Sequence, residues 1–306
     1  YNHSAPKPGN ALSWTEVYDA STAVLDSLLY SNSDKDTSSD RLNLNFHTDK
    51  VWDDKGKNMT WDVDYLRDNR DENMGFLSKT LLPDGTEIPG TNFDYNYLQH
   101  RKVDVVSSAL DFILPFEKYK ITAGAKVSFT NTRNGINYDT SDPTLVQDDY
   151  FRYKEQIYAL YADYSREYSE RFSMQLGLRM EHTRTTGISE AKDTEDKHDY
   201  TRLFPTVYLL YSPTDGHALN FSFSNRISRP SQNMVNPFPF YQNKYTYACG
   251  REDLKPSYTY NAELGYTLKN NFNVSAYYSY SDDVFFQVVD LDAETNVTSF
   301  LWENFM

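Results

Sequence analysis

Residues 172–182 read FSMQLGLRMEH. In an extended chain Phe172, Met174, Leu176, Leu178, Met180 and His182 share one face, while Ser173, Gln175, Gly177, Arg179 and Glu181 share the other. An apolar period of two is the mark of a β-strand with two unlike faces, and no helical stripe fits it. The pattern recurs upstream in Leu42, Leu44, Phe46; in Trp61, Val63, Tyr65; in Leu110, Phe112, Leu114; in Ile121, Ala123, Ala125, Val127, Phe129; and in Tyr158, Leu160, Ala162, Tyr164. Downstream it continues in Val207, Leu209, Tyr211; in Leu219, Phe221, Phe223; in Tyr260, Ala262, Leu264, Tyr266, Leu268; and in Phe272, Val274, Ala276, Tyr278, Tyr280.

A soluble β-sandwich alternates too, because one face packs inward and the other meets water. The connections separate the two cases. They are short at 115–119, 166–171, 213–217 and 269–271, and long at 68–104, 133–150, 186–202 and 229–256. Short turns on one side and long loops on the other describe a transmembrane β-barrel wall, with the short turns in the periplasm. Tyr164, Tyr168, Phe172, Tyr211, Tyr266 and Phe272 lie beside the short turns, where amphipathic rings meet lipid headgroups. Lys126, Arg179, Glu181 and Glu263 lie on the opposite strand face, which suits a hydrated lumen or a plug surface.

Composition agrees. The 306 residues carry 44 acidic and 30 basic side chains, a formal charge of -14, far from the basic balance of a nucleic-acid binder, so nucleic acid is excluded as an expected partner. Hydrophobic residues are only 39% of the chain, and no run approaches the ~18 apolar residues of a membrane-spanning helix. A barrel strand needs only ~10 residues of alternating polarity, so spanning by strands stays open. The single cysteine, Cys249, allows no internal disulfide. The chain opens at Tyr1 without a charged head, apolar run and cleavage site, so a secretory signal is expected to have been removed or to lie upstream.

Certain strings resemble a known family. Residues 225–230 (NRISRP), 236–238 (NPF), 250–256 (GREDLKP) and Glu263-Leu264 are similar to the outer-membrane barrel region of TonB-dependent receptors, in the branch with an upstream carboxypeptidase-regulatory-like domain. Asp111-Phe112 with Pro115, residues 151–159 (FRYKEQIYA), 177–181 (GLRME) and 203–205 (LFP) resemble its strand and turn markers, so the likeness covers about residues 41–303. At Gly250-Arg251-Glu252 the family usually has Gly-Asn-Pro, and the turn here lacks the proline that would fix its backbone. Pro230, Pro237, Pro239 and Pro256 cannot donate to a ladder and mark where strands leave and enter the sheet.

The resemblance implies an all-β, antiparallel up-and-down barrel wall in the outer membrane of a Gram-negative bacterium, with the whole of 1–306 in one barrel domain. Residues 1–40 are expected to be partly loop, with a weak strand near 14–18. The wall is expected to be incomplete, with eleven or twelve strands and with the plug domain and terminal strands absent; an independent twelve-stranded barrel is the alternative. Implied partners are outer-membrane lipid, the plug of the parent chain, the TonB energy-coupling complex acting through absent segments, and an extracellular ligand.

Few residues suggest other chemistry. The six histidines, at 3, 47, 100, 182, 198 and 217, lack the spacing of a zinc site, and no metal or other cofactor is expected. The acidic runs Asp34, Asp36, Asp40 and Asp290, Asp292, Glu294 lack a calcium loop's glycine and read as solvated charge. His182 is the one strand histidine near a rim where a hydrolase site would lie. Between Arg229 and Pro256, Phe238, Phe240, Tyr241, Tyr245 and Tyr247 are the candidate ligand-binding residues, as rings able to stack on a flat ligand; the alternative is a loop packed on its own aromatics. The leading expectation is a receptor barrel for ligand capture and active uptake, not an enzyme. A surface adhesion barrel is second and the rim hydrolase third.

Overall fold

The alternating segments are strands, and they are longer than the alternation suggests. In the computed structural model, which describes residues 2–140, 148–243, 245–269 and 271–305, the elements in chain order are β1 (Asn2–Tyr18), β2 (Leu25–Val51), β3 (Asn58–Leu81), β4 (Phe93–Pro115), β5 (Lys120–Thr140), β6 (Asp149–Ser169), β7 (Phe172–Ser189), β8 (Thr194–Tyr211), β9 (His217–Ser228), a single helical turn α1 (Gln232–Val235), β10 (Phe240–Asn243), β11 (Thr246–Cys249), β12 (Ser257–Leu268), β13 (Phe272–Asp282), β14 (Val284–Asp292) and β15 (Val297–Phe305). The main sheet has 11 strands in the order β1 to β9, β12, β13, every neighbouring pair antiparallel. It is an up-and-down meander that does not close, with β1 and β13 at its edges. A mixed sheet of four strands, in the order β10, β11, β15, β14, is built from the segments after β9 and β13, and its one parallel pair is β11 with β15.

The register through β7 follows the alternation. Met180 faces Leu160 on β6 and Leu203 on β8, and Leu178 faces Ala162 and Pro205. Leu176, Leu178 and Leu160 are 39%, 51% and 57% exposed, whereas Glu181, on the other face, is 5% exposed. Apolar side chains pointing away from the body of a protein beside a buried carboxylate are the reverse of a water-soluble sheet. Hydrocarbon covers that outer face, and the lumen takes the charge. Rings cluster beside the short turns as expected, with Tyr168 and Tyr211 at 5.5 and 6.4 Å from Phe172. These turns are tight: Phe116 N–H donates to Tyr119 O at 2.8 Å and His217 N–H to Thr214 O at 3.1 Å, and Lys269 N–H links two neighbouring turns by donating to Gly216 O at 2.6 Å. Gly216 has φ 80°, a conformation that a side chain would strain.

The expectation of long loops is corrected. Residues 68–104 and 186–202 are mostly strand, with connections only at 82–92 and 190–193; β5 runs on to Thr140, and residues 141–147 of the expected 133–150 loop lie outside the described residues. Residues 2–18 and 25–40 lie in the hairpin of β1 and β2, joined by a turn at 19–24, with Leu12 opposite Asn32 and Trp14 opposite Tyr30. The cause is a change of phase. Along β3 the apolar residues Met59, Trp61, Val63 and Tyr65 face outward, but beyond Asp68 the apolar residues Met74 and Phe76 face inward. Along β4 the lumen-facing Phe93, Tyr95 and Tyr97 give way to the outward-facing Val106, Leu110 and Phe112. Where the outer face leaves lipid for water it becomes polar, and the inner face can gather apolar side chains. A strand that switches phase reads in sequence like the end of a strand.

The main buried core therefore lies in the extracellular half, on the lumen side: Met74, Phe76, Phe93, Tyr95, Tyr97, Ile136 and Phe151 from the wall, with Val235, Phe238, Tyr241 and Leu254 from the segment after β9.

Position within β7 should control the damage done by charge. Leu176→Arg places a cation against lipid, at ~2–4 kcal/mol near the midplane, and should lower the yield of folded full-length protein in bilayer refolding. Gln175→Arg, pointing into the lumen, should refold nearly as well as wild type.

Candidate functional site

The segment from Arg229 to Pro256 turns back over the lumen side of the wall. Arg229 starts it. Its Nη2 donates to Glu181 on β7 and to Thr183 Oγ1 at 3.1 Å, and its Nε lies 3.6 Å from Glu155 on β6. Burial pulls on the Arg229 guanidinium, but Glu181 and its other neighbours hold it above its ordinary pKa, whereas burial pushes the Glu155 carboxyl up. Arg229, Glu155 and Glu181 belong to three separate strings used in the sequence comparison, and the fold brings them into one latch. Phe151, fully buried, packs against Phe238 from the same segment with ring centroids 6.5 Å apart.

Gly250 closes the turn. Its N–H donates to Asn236 O at 2.8 Å, and Arg251 N–H donates to Met234 O at 2.7 Å. A Cβ on residue 250 would sit 2.3 Å from Asn236 O and 2.5 Å from Met234 O, both backbone atoms. Glycine is therefore needed here whatever follows it, and the missing proline is made good by tertiary contacts. Arg251 binds Asp253 at 2.7 Å and Glu303 of β15 at 3.1 Å. Asn304 of β15 accepts from Lys255 N–H at 2.9 Å and donates to Lys255 O at 3.0 Å and Asp283 O at 2.7 Å.

Between this segment and the inner face of β2 to β5 lies a cavity of about 360 Å³. Lys35, Arg70, Glu72, Tyr97, Gln99, Arg101 and Asn134 form its polar wall, and Phe238, Phe240 and Trp302 its aromatic one. Glu72 organises the polar side: Oε1 lies 2.7 Å from Lys35 Nζ and accepts from Tyr97 OH at 2.5 Å, while Oε2 is 3.1 Å from Arg70 Nη2. Burial pushes the Glu72 carboxyl up, but the bonds from Lys35 and Tyr97 and the charge of Arg70 outweigh it and hold the group below its ordinary pKa. Burial and the bond to Glu72 push the Tyr97 phenol far up, so it remains a donor. Arg70 Nε and Arg101 Nε are buried without a hydrogen-bond partner. Gln99 Nε2 donates to Asn134 Oδ1 at 2.9 Å.

The five aromatic candidates divide. Phe238 and Tyr241 are each only 8% exposed and belong to the core, Tyr241 lying 5.3 Å from Phe93 and 5.9 Å from Tyr95. Tyr247, half-buried, lies 5.6 Å from Tyr241. Tyr245, also half-buried, accepts through its carbonyl from Thr298 N–H at 2.7 Å. Phe240 is 44% exposed and lines the cavity with Phe238. Sequence reasoning missed Lys35, Arg70, Glu72, Tyr97 and Arg101, because they fell in stretches read as loop. The alternation of Phe93, Tyr95 and Tyr97 with Asp94 and Asn96 was the available signal. His182 stands on the outer face, its Nδ1 3.0 Å from Thr201 Oγ1 and its Nε2 3.6 Å from Asp199.

A long antiparallel meander, apolar outside and charged within, is the wall of a transmembrane β-barrel. The model of the outer membrane protein beta-barrel family matches residues 50–306, and the chain belongs to that family, in the outer membrane. Solved structures share the fold. The copper transporter OprC is 11% identical with a TM-score of 0.51, the alignment covering 99% of this chain and 57% of that one. The siderophore receptor PirA from Pseudomonas aeruginosa is 11% identical with a TM-score of 0.46, covering 98% and 57%. The Serratia marcescens hemophore receptor HasR, solved as a double mutant with its hemophore HasA and heme, is 10% identical with a TM-score of 0.44, covering 98% and 58%. The chain thus spans about half the length of the structures it matches. No curated protein sequence matches it.

Two outcomes follow from this geometry. Gly250→Ala forces the backbone of residues 234–236 to move, and limited proteolysis of the full-length protein should show faster cleavage within 229–256 at an unchanged yield of barrel. Glu72, held below its unfolded pKa, stabilises the extracellular half at pH values above that of an ordinary carboxylate, and this stabilisation is lost as pH falls through its folded value. Hydrogen exchange of β3 and β4 should therefore accelerate as pH falls below the ordinary carboxylate range, and Glu72→Gln should flatten that dependence.

Proposed function

We propose that the chain is barrel wall of a TonB-dependent receptor, which captures a scarce solute at the cell surface and imports it with energy from an inner-membrane complex. On this reading a plug domain fills the lumen against Gln175, Tyr208 and Ser222, an upstream carboxypeptidase-regulatory-like domain precedes it, further strands close the barrel, and the protein is no enzyme. Membership of the outer membrane barrel family and the fold shared with a copper transporter support it. The observation that carries the binding role is the cavity, which sets the cationic side chains of Lys35, Arg70 and Arg101 and the amide of Gln99 opposite the Phe238 and Phe240 rings. Convergent polar and cationic groups facing an aromatic wall suit a solute with acceptor oxygens and a flat or apolar part. Phe238 and Phe240 present the contact surface. Tyr241, Tyr245 and Tyr247 hold the β10–β11 hairpin beneath it.

Cells producing the full-length protein and otherwise identical cells lacking it are grown in a defined medium, and solutes depleted only by the producers are identified by mass spectrometry. Depletion should stop when the proton-motive force is collapsed; persistence after collapse, or no depletion at all, rejects uptake in favour of an adhesion barrel. For the solute so identified, Phe240→Ala should weaken binding about 3- to 10-fold, from ~0.5–1.5 kcal/mol of ring contact, with folded protein unchanged. Tyr241→Ala should instead lower the amount of folded protein.

A further inference from the structure

The outer face of the wall carries a charge arrangement that the uptake reading does not use. Lys102 on β4, Arg133 on β5 and Arg152 on β6 stand directly opposite one another across three neighbouring strands. All three share the outward phase of Val106 and Phe129, which are 45% and 39% exposed and belong to the lipid-facing surface. Lys154 lies on the same face of β6, two residues nearer the membrane and opposite Asn131. Among the described residues none of the four cations makes a close ion pair with a carboxylate, and Lys102 acts on Asp104 only at longer range. Of the carboxylates on this face, Asp104 is taken by Arg67 Nε at 2.7 Å and Tyr65 OH at 3.1 Å, Asp71 is bound by His100, and Asp199 on β8 is taken by Arg184 Nε at 2.8 Å. Among the described residues the row makes one side-chain bond, from Arg152 Nε to Asn131 Oδ1 at 3.4 Å.

Like charges directly opposite in a sheet destabilise it. Three in a row, with a fourth beside them, call for a counter-anion, and height limits what that anion is. The row lies four residues beyond Val106 and Phe129 along the strands, which at ~3.3 Å per residue and a tilt of ~45° is roughly 9 Å above the last apolar ring. That is the depth of headgroups rather than of acyl chains, and lysine and arginine stems are long enough to lean back toward it. Below the cations the surface is apolar, through Phe129, Tyr158 and Leu160. A molecule that fits has phosphates at the top and acyl chains beneath.

We propose that Lys102, Arg133, Arg152 and Lys154 form a binding site for the phosphate groups of a phosphorylated lipid of the outer leaflet, whose chains lie along the outer face of β4 to β6. The inference rests on the orientation of the wall in the membrane and not on uptake, so it stands or falls separately from the receptor reading. Arginine and lysine supply several charge-assisted bonds to each phosphate, and the bound lipid removes the repulsion within the row.

The test uses the full-length protein, folded into phosphatidylcholine vesicles containing a small fraction of bis-phosphorylated lipid A, then extracted and read by native mass spectrometry for retained lipid. Wild type should retain the phosphorylated lipid and lose most of it in high salt. The triple variant Lys102→Gln, Arg133→Gln, Arg152→Gln should retain at least 5-fold less, while Lys55→Gln, Lys57→Gln, Lys118→Gln, which removes as much charge at the periplasmic turns, should match wild type. Retention undiminished in the first variant overturns the proposal. Equal retention of a dephosphorylated lipid overturns it in favour of simple apolar contact, and full displacement by millimolar inorganic phosphate overturns it in favour of a free-anion site. If the triple variant folds poorly, Arg133→Gln alone should lower retention 2- to 3-fold and Arg133→Lys should restore most of it; no loss with Arg133→Gln then counts against the site.

Discussion

Everything in this wall depends on a strand having its two faces in two different solvents. Within the bilayer no water is available to backbone groups, so every N–H and C=O must be paired between neighbours, which the unbroken meander from β1 to β9 and on through β12 and β13 provides. With the backbone satisfied, side chains follow their surroundings: Leu160, Leu176 and Leu178 turn to lipid, and Glu181 turns inward to Arg229. A charge is costly on one face and at home on the other, one residue away.

The same constraint acts in reverse above the membrane. Strands such as β3 and β4, of 24 and 23 residues, are more than twice as long as a bilayer crossing of ~10 residues requires. Their extracellular halves meet water outside, so their apolar residues collect inside, around Tyr95, Phe93 and Phe76. This core gives the segment 229–256 something to pack on. Val235, Phe238, Tyr241 and Leu254 fill it, Arg229 ties one end of the segment to β6 and β7, and Gly250 and Asn304 fix the turn and the β15 strand against it. The cavity exists because the segment spans the inner face without filling it.

Charge follows the same geometry. At the level where the phase changes, the inner face carries Arg41, Asp68 and Arg101 and the outer face carries Arg67, Asp104 and Lys102. Inside, the cations meet acids across strands and line a site. Outside, on β4 to β6, they outnumber the acids.

Much of the architecture was legible in the chain alone, for a physical reason: a lipid-facing strand must alternate, and residues 172–182, 121–129 and 260–268 do so without interruption. Strand order, the short turns and the outward direction of Leu176 followed from period two and turn length. The family strings pointed to Arg229, Glu181 and Gly250, although not to their contact with one another. What sequence could not supply was the fate of the stretches after the phase change. Residues 68–81 and 93–104 keep a period of two but shift their apolar set to the other face, and only pairing with neighbours at long sequence separation reveals one continuous strand. The site depended on the same information. Lys35, Glu72, Tyr97 and Arg101 come from three strands and meet only because the register brings them side by side, and Tyr241 is a core residue rather than a free ring because Phe93 and Tyr95 wait beneath it. A local pattern fixes which face of a strand meets which solvent, whereas contact between distant strands is set by register and by the return of the chain over its own wall.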